Sequence, residues 1–125
     1  MNFQKELIDF ANGVCLLDCY LEMANVHAFT DKLEIINEAI KKNLVGLDGY
    51  VNDANRLYDE IINKKVKVSK SYSFDEDRPV IACYNNKHFV IINGKTKELI
   101  YDPLGESKSF KTGNITSYRL VEDKI

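Results

Sequence analysis

The sequence predicts an α+β domain, with helices first and an antiparallel sheet after them. Three observations carry this. Apolar residues in the first half recur at helical spacing, as in Leu33, Ile36, Ile40 and Leu44. Apolar residues in the second half fall into short β-branched runs, Val80-Ile81-Ala82-Cys83-Tyr84 and Phe89-Val90-Ile91-Ile92, bounded by turn-forming residues. The two kinds of segment are segregated along the chain, which suits helices packed on an antiparallel sheet rather than alternating βαβ units.

In order, residues 3–10 carry a weak helical pattern as a lead-in. Asn12 or Gly13 then reads as the N-cap of a helix over 13–25. Its apolar positions, Val14, Leu16, Leu17, Tyr20, Leu21, Met23 and Ala24, cover most of its circumference and predict an interior helix. Thr30-Asp31 opens a second helix, in which Asp31 and Glu34 have the spacing of a capping box and Lys41-Lys42 suit the negative end of the helix dipole. Gly46 and Gly49 break it. Asn52-Asp53 starts a third helix that runs to about Asn63, with Leu57, Ile61 and Ile62 inward. Lys64 to Lys70 reads as a short strand, Ser71 to Arg78 as an acidic loop, and Pro79 as the opening of the strand through Tyr84. Asn85-Asn86-Lys87 turns into a hairpin, and a last strand spans Ile115 to Val121.

The 125 residues fit one domain, 1–125, long enough to bury a core. Seventeen basic and nineteen acidic residues are mixed along the chain for a net charge of −2, so no basic stripe argues for nucleic acid. No apolar run is long enough to insert in a membrane. The start, MNFQKELIDF, has charges where a signal peptide needs an apolar core, and three cysteines suit a reducing compartment better than a disulfide framework. Synthesis in the cytoplasm is the expectation. The composition leaves the oligomeric state open.

The chemistry concentrates in His88 to Gly105, HFVIINGKTKELIYDPLG. Two short strands flank Asn93-Gly94, a strong hairpin signal. Folding the hairpin returns Asp102 to His88, and the two share a face if the loop is odd, as with Gly94-Lys95-Thr96, or if a bulge restores the register. A histidine held by a carboxylate is the orienting half of a catalytic triad. The nucleophile candidate is Cys15: in the first turn of its helix, unpaired backbone N–H groups and the helix dipole favour a thiolate and can receive an oxyanion. Cys19, one turn deeper, and Cys83, mid-strand, read as core. His27 reads as structural or solvated. A zinc site from Cys15, Cys19 and His88 lacks a paired Cys-x-x-Cys and a clear fourth ligand, so neither metal nor cofactor is expected.

These residues resemble a family. Cys-Leu-Leu-Asp-Cys-Tyr-Leu-Glu-Met-Ala at 15–24 looks like the nucleophile helix of papain-like cysteine peptidases, in particular the group similar to bacteriocin-processing, double-glycine-leader peptidases. Thr30-Asp31-Lys32-Leu33-Glu34, Arg78-Pro79-Val80-Ile81, His88-Phe89-Val90-Ile91-Ile92 and Tyr101-Asp102-Pro103-Leu104-Gly105 extend the likeness over most of 12–105. The resemblance implies a papain-like fold with Cys15 as nucleophile, His88 as base and Asp102 as orienter. Two positions depart from the family pattern. Val14 stands where glycine usually precedes the nucleophile, and Asp9 stands where an oxyanion-hole glutamine is often found. Asn12, or Gln4 folding back, is a substitute amide donor.

The expectation is a cysteine peptidase or amidase acting on a peptide, in the form of a phage or bacterial endopeptidase of peptidoglycan crosslinks, virion-associated or released on lysis. The rival is a phage structural, delivery or peptide-binding module on the same fold. A weaker third is an intracellular processing or deamidating enzyme.

Overall fold

The computed structural model describes residues 14–46, 49–103 and 113–123. Helix α1 (14–23) leads into α2 (Phe29–Lys41), and a short helix α3 (Ala54–Arg56) continues as a π-helical turn over Leu57–Ile62. Among the described residues five strands follow: β1 (Val66–Ser71), β2 (Pro79–Tyr84), β3 (His88–Asn93), β4 (Leu99–Tyr101) and β5 (Ile115–Asp123). All pairings are antiparallel, and the order across the sheet is β1-β5-β2-β3-β4. This is the expected α+β arrangement.

Among the described residues the core has three parts. Cys19 and Tyr20 of α1, with Ala24 just after it, pack with Tyr58, Ile81 and Ile91 between helices and sheet. Leu17 and Leu21 meet Ala39, Leu44 and Leu57 between the helices. Val80, Ala82, Val90 and Ile92 form the opposite sheet face, where Phe74 and Tyr118 pack. α1 therefore contributes to two clusters, as its nearly continuous apolar sequence predicts. Tyr58 anchors it: its buried hydroxyl donates to the Tyr20 carbonyl at 2.6 Å and the two rings meet edge-on. Lys64 Nζ donates to the Ala24 carbonyl at 2.9 Å, at the C-terminal end of α1.

Local details differ from the sequence expectation. α2 starts one residue before Thr30, and its N-cap is Ala28, with no side-chain cap; Asp31 lies in the first turn instead of closing a capping box with Glu34. Lys32, in that same turn, bonds to Asp18 and Glu22 of α1. Asp53, by contrast, is a true cap, accepting from the Arg56 N–H at 3.1 Å. The strand expected over Lys64 to Lys70 is Val66–Ser71, and β5 runs two residues beyond Val121. Asn55 pairs through both side-chain polar atoms with Val68 and so occupies part of the outer edge of β1.

Asn93-Gly94 does not form a two-residue turn. Residues 94–98 separate β3 from β4, and the Asn93 side chain accepts from the N–H groups of Lys95 and Thr96. Glycine is required at 94 by close approach: a Cβ there would lie 2.2 Å from the Phe74 ring and 2.6 Å from the Glu76 carbonyl oxygen.

Candidate functional site

His88 opens β3. The turn before it, Asn85-Asn86-Lys87, places both asparagines at positive φ, 55° and 58°, a conformation asparagine tolerates better than most residues. The Lys87 N–H donates to the Tyr84 carbonyl at 3.0 Å, and His88 pairs directly with Tyr84. Asp102 follows the last residue of β4. Both therefore sit at one end of the sheet.

The register decides whether they meet. Ile92 pairs with Leu99 and Ile91 with Tyr101, so Ile100 is an extra, bulged residue. Continuing that register sets Asp102 opposite Val90, with the strand parity of His88. Without the bulge, alternation from Leu99 would turn Asp102 to the other face. The result is a hydrogen bond of 2.7 Å between His88 Nε2 and Asp102 Oδ1, with side chains only 6% and 2% exposed. The hairpin requirement read from the sequence is met by its bulge option.

Cys15 lies on α1 and is 1% exposed. Its thiol is pushed up from 9.0 to about 11, by burial first, then by the negative charges of Asp102 and Asp18. A hydrogen bond from its own backbone N–H works the other way and is outweighed. Desolvation and the two carboxylates outweigh that backbone hydrogen bond. Asp102 thus connects the expected residues, hydrogen-bonded to His88 and acting on Cys15 through its charge. Cys19 is fully buried, with its thiol also raised by burial, and Cys83 is buried. Asn12 and Gln4, the candidate oxyanion donors, lie outside the described residues, as does the expected cap at Asn12 or Gly13. His27 is exposed and its Nδ1 lies 2.5 Å from Glu22 Oε2. Among the described residues no cluster of three or more His, Cys, Asp or Glu could hold a metal ion, and no helix is long and apolar enough to cross a membrane.

The sequence reading missed a polar cluster beside this site, made by Asp18 and Glu22 of α1, Lys32 of α2 and Tyr101 of β4. A signal was present: Asp18 and Glu22 are two carboxylates one turn apart on an otherwise apolar helix, and such a pair needs a cation. A groove of about 380 Å³ opens against the cluster. Val14 and Pro103, the residues flanking Cys15 and Asp102, line it with Asp18, and exposed Phe29 and Leu33 form its apolar wall. A second groove, of about 430 Å³, lies against Tyr101, Ile100, Ile91 and Met23 and includes neither Val14 nor Pro103 among its lining residues.

Comparison with family models, with curated proteins and with solved structures finds no match to this chain.

Proposed function

We propose that the chain is a papain-like cysteine peptidase or amidase in which Cys15, His88 and Asp102 cleave a peptide bond. Cys15 is a protonated thiol at rest. His88 takes its proton as sulfur attacks the peptide carbonyl, and Asp102 holds the imidazole and balances its positive charge. The backbone N–H of Cys15, with Asn12 or Gln4, donates to the oxyanion. His88 then returns the proton to the leaving amine, leaving a thioester that water hydrolyses. The substrate class is a peptide, with a cell-wall crosslink as the reading carried over from the family resemblance. The groove flanked by Val14 and Pro103 is where its side chains would lie.

The observation that carries this is Asp102, bonded to His88 at 2.7 Å while its charge reaches Cys15. The test is alkylation of Cys15 at pH 7 in wild type and His88→Ala, with Cys19 and Cys83 as internal controls by peptide mass spectrometry. A thiol at about 11 is only about one part in ten thousand ionised at pH 7. General-base assistance contributes about 10²–10⁴-fold, so His88→Ala should slow labelling a hundredfold or more.

One observation favours a second reading, a non-catalytic structural, delivery or peptide-binding module. Cys15 is buried and its thiol is raised, as in a core residue. On that reading Cys15 labels as slowly in wild type as in His88→Ala.

A further inference from the structure

Lys32 Nζ lies 2.6 Å from Asp18 Oδ1 and 2.7 Å from Glu22 Oε1. The Tyr101 hydroxyl donates to the other oxygen of Asp18 at 2.8 Å and accepts from Lys32 at 3.2 Å. The ammonium also stands 5.1 Å from the Tyr101 ring centroid. These partners are 14, 69 and 83 residues apart along the chain, so the cluster ties three elements together. Its position is what matters. Asp18 follows Cys15 by three residues on α1, and Tyr101 directly precedes Asp102.

We propose that Asp18, Lys32 and Tyr101 are positioning residues for the Cys15–His88–Asp102 site. They fix the helix that carries the thiol to the strand that delivers the aspartate, and Lys32 offsets carboxylate charge that bears on Cys15. This rests on the cysteine-peptidase reading above.

Two physical points support it. The cluster is mutually supporting: burial pulls the Lys32 ammonium down, but the hydrogen bonds it donates to Asp18, Glu22 and Tyr101 outweigh that and hold it above the ordinary lysine value. Glu22 is likewise held below its ordinary value, burial being outweighed by Lys32 and His27. Lys32 is therefore a fixed cation. Among the described residues, the charges that bear on the Cys15 thiol are Asp102, bonded to His88 on β3, and Asp18 on α1, bonded to Lys32 on α2 and Tyr101 on β4. Asp18 and Asp102 both oppose loss of the thiol proton. A cation on Asp18 lowers that opposition while leaving Asp102 available to His88. Tyr101 adds a rigid link, because its hydroxyl and the backbone that places Asp102 are one residue apart.

The test compares Cys15 alkylation between pH 5 and 10 in wild type, Tyr101→Phe and Lys32→Met, each also in a His88→Ala background, with thermal unfolding measured in parallel. Tyr101→Phe removes only a hydroxyl. It should slow the His88-dependent labelling at pH 7 about three- to tenfold, the range of one hydrogen bond. The midpoint of unfolding should move by only a few degrees. Lys32→Met should slow labelling further and move its rise to higher pH. In the His88→Ala background, Tyr101→Phe should add nothing, whereas a merely structural link would slow labelling equally in both backgrounds. Wild-type labelling at every pH in Tyr101→Phe, with His88 dependence intact, would overturn this inference alone. Absence of His88 dependence in the wild type removes the peptidase reading and this inference with it. If Lys32→Met does not fold, Tyr101→Phe decides.

Discussion

Replacing Asp102 by asparagine separates two opposed actions of one carboxylate. Asp102 stabilises a positive His88 through a 2.7 Å hydrogen bond between side chains that are almost fully buried. A hydrogen bond to a charged group contributes about 1.5–3 kcal/mol, roughly a ten- to hundredfold change in the population of the proton-transferred form. The same carboxylate disfavours the Cys15 thiolate, but there its charge ranks behind burial. The imidazole side should win, so Asp102→Asn should slow Cys15 labelling at pH 7 by about tenfold or more. In the His88→Ala background only the thiol side remains, and the same substitution should speed labelling modestly. The assay is the rate of iodoacetamide modification at Cys15, read by intact mass and peptide mapping. An Asp102→Asn protein that labels as fast as wild type, or faster, with His88 present would refute the reasoning: the carboxylate would then act on the thiol more than on the base.

Two further outcomes concern stability. Gly94→Ala should destabilise the fold by about 1–3 kcal/mol, the range for overpacking, because the Glu76 carbonyl is backbone and cannot swing clear of the new methyl; an unchanged urea midpoint would contradict the close approach. Stability should also fall above pH 9. The Cys15 thiol is raised to about 11 in the folded chain against an ordinary 9.0, so the unfolded chain loses its proton first and the folded state loses about 1.4 kcal/mol per pH unit between those values. Tyr20, raised to about 12 mainly by burial, extends the trend. Urea midpoints from pH 8 to 11 would check this, and Cys15→Ala should show a shallower decline than wild type.

Much of the fold was legible because local and tertiary demands agreed. α1 is apolar nearly all round and touches two core clusters, and the β2–β3 runs are buried along almost their whole length. The approach of Asp102 to His88 was legible as a condition, since period-two alternation leaves only an odd loop or a bulge. The bulge at Ile100 itself left no local mark: isoleucine is an ordinary strand residue, and the bulge follows from Leu99 packing on one sheet face and Tyr101 on the other. Asn93-Gly94 marked the hairpin but not the length of its loop. The same dipeptide that suits a tight turn here serves a close approach to Phe74, a contact between residues twenty apart. The insertion of β5 between β1 and β2 was beyond the sequence too, because nothing in Ile115–Asp123 names its neighbours. Asp18 and Lys32 could have been paired from the helix pattern. Tyr101 could not, because its role depends on the bulge that turns it toward α1.

The raised thiol at Cys15 bears differently on two routes for its proton. Releasing it to water at pH 7 from a group at about 11 costs about 5 kcal/mol, and that cost comes mainly from leaving a new, uncompensated negative charge in a buried place beside two carboxylates. Passing the proton to His88 creates a thiolate and an imidazolium together and leaves the net charge of the site unchanged. Asp102 then acts on both products with opposite sign, and its hydrogen bond lies on the favourable one. A high resting value is therefore compatible with an active nucleophile when His88 is the acceptor. The peptidase and scaffold readings share the same buried cysteine and divide at that one proton. His88→Ala accordingly discriminates between them more sharply than any substitution of Cys15, whose loss removes the label in both cases.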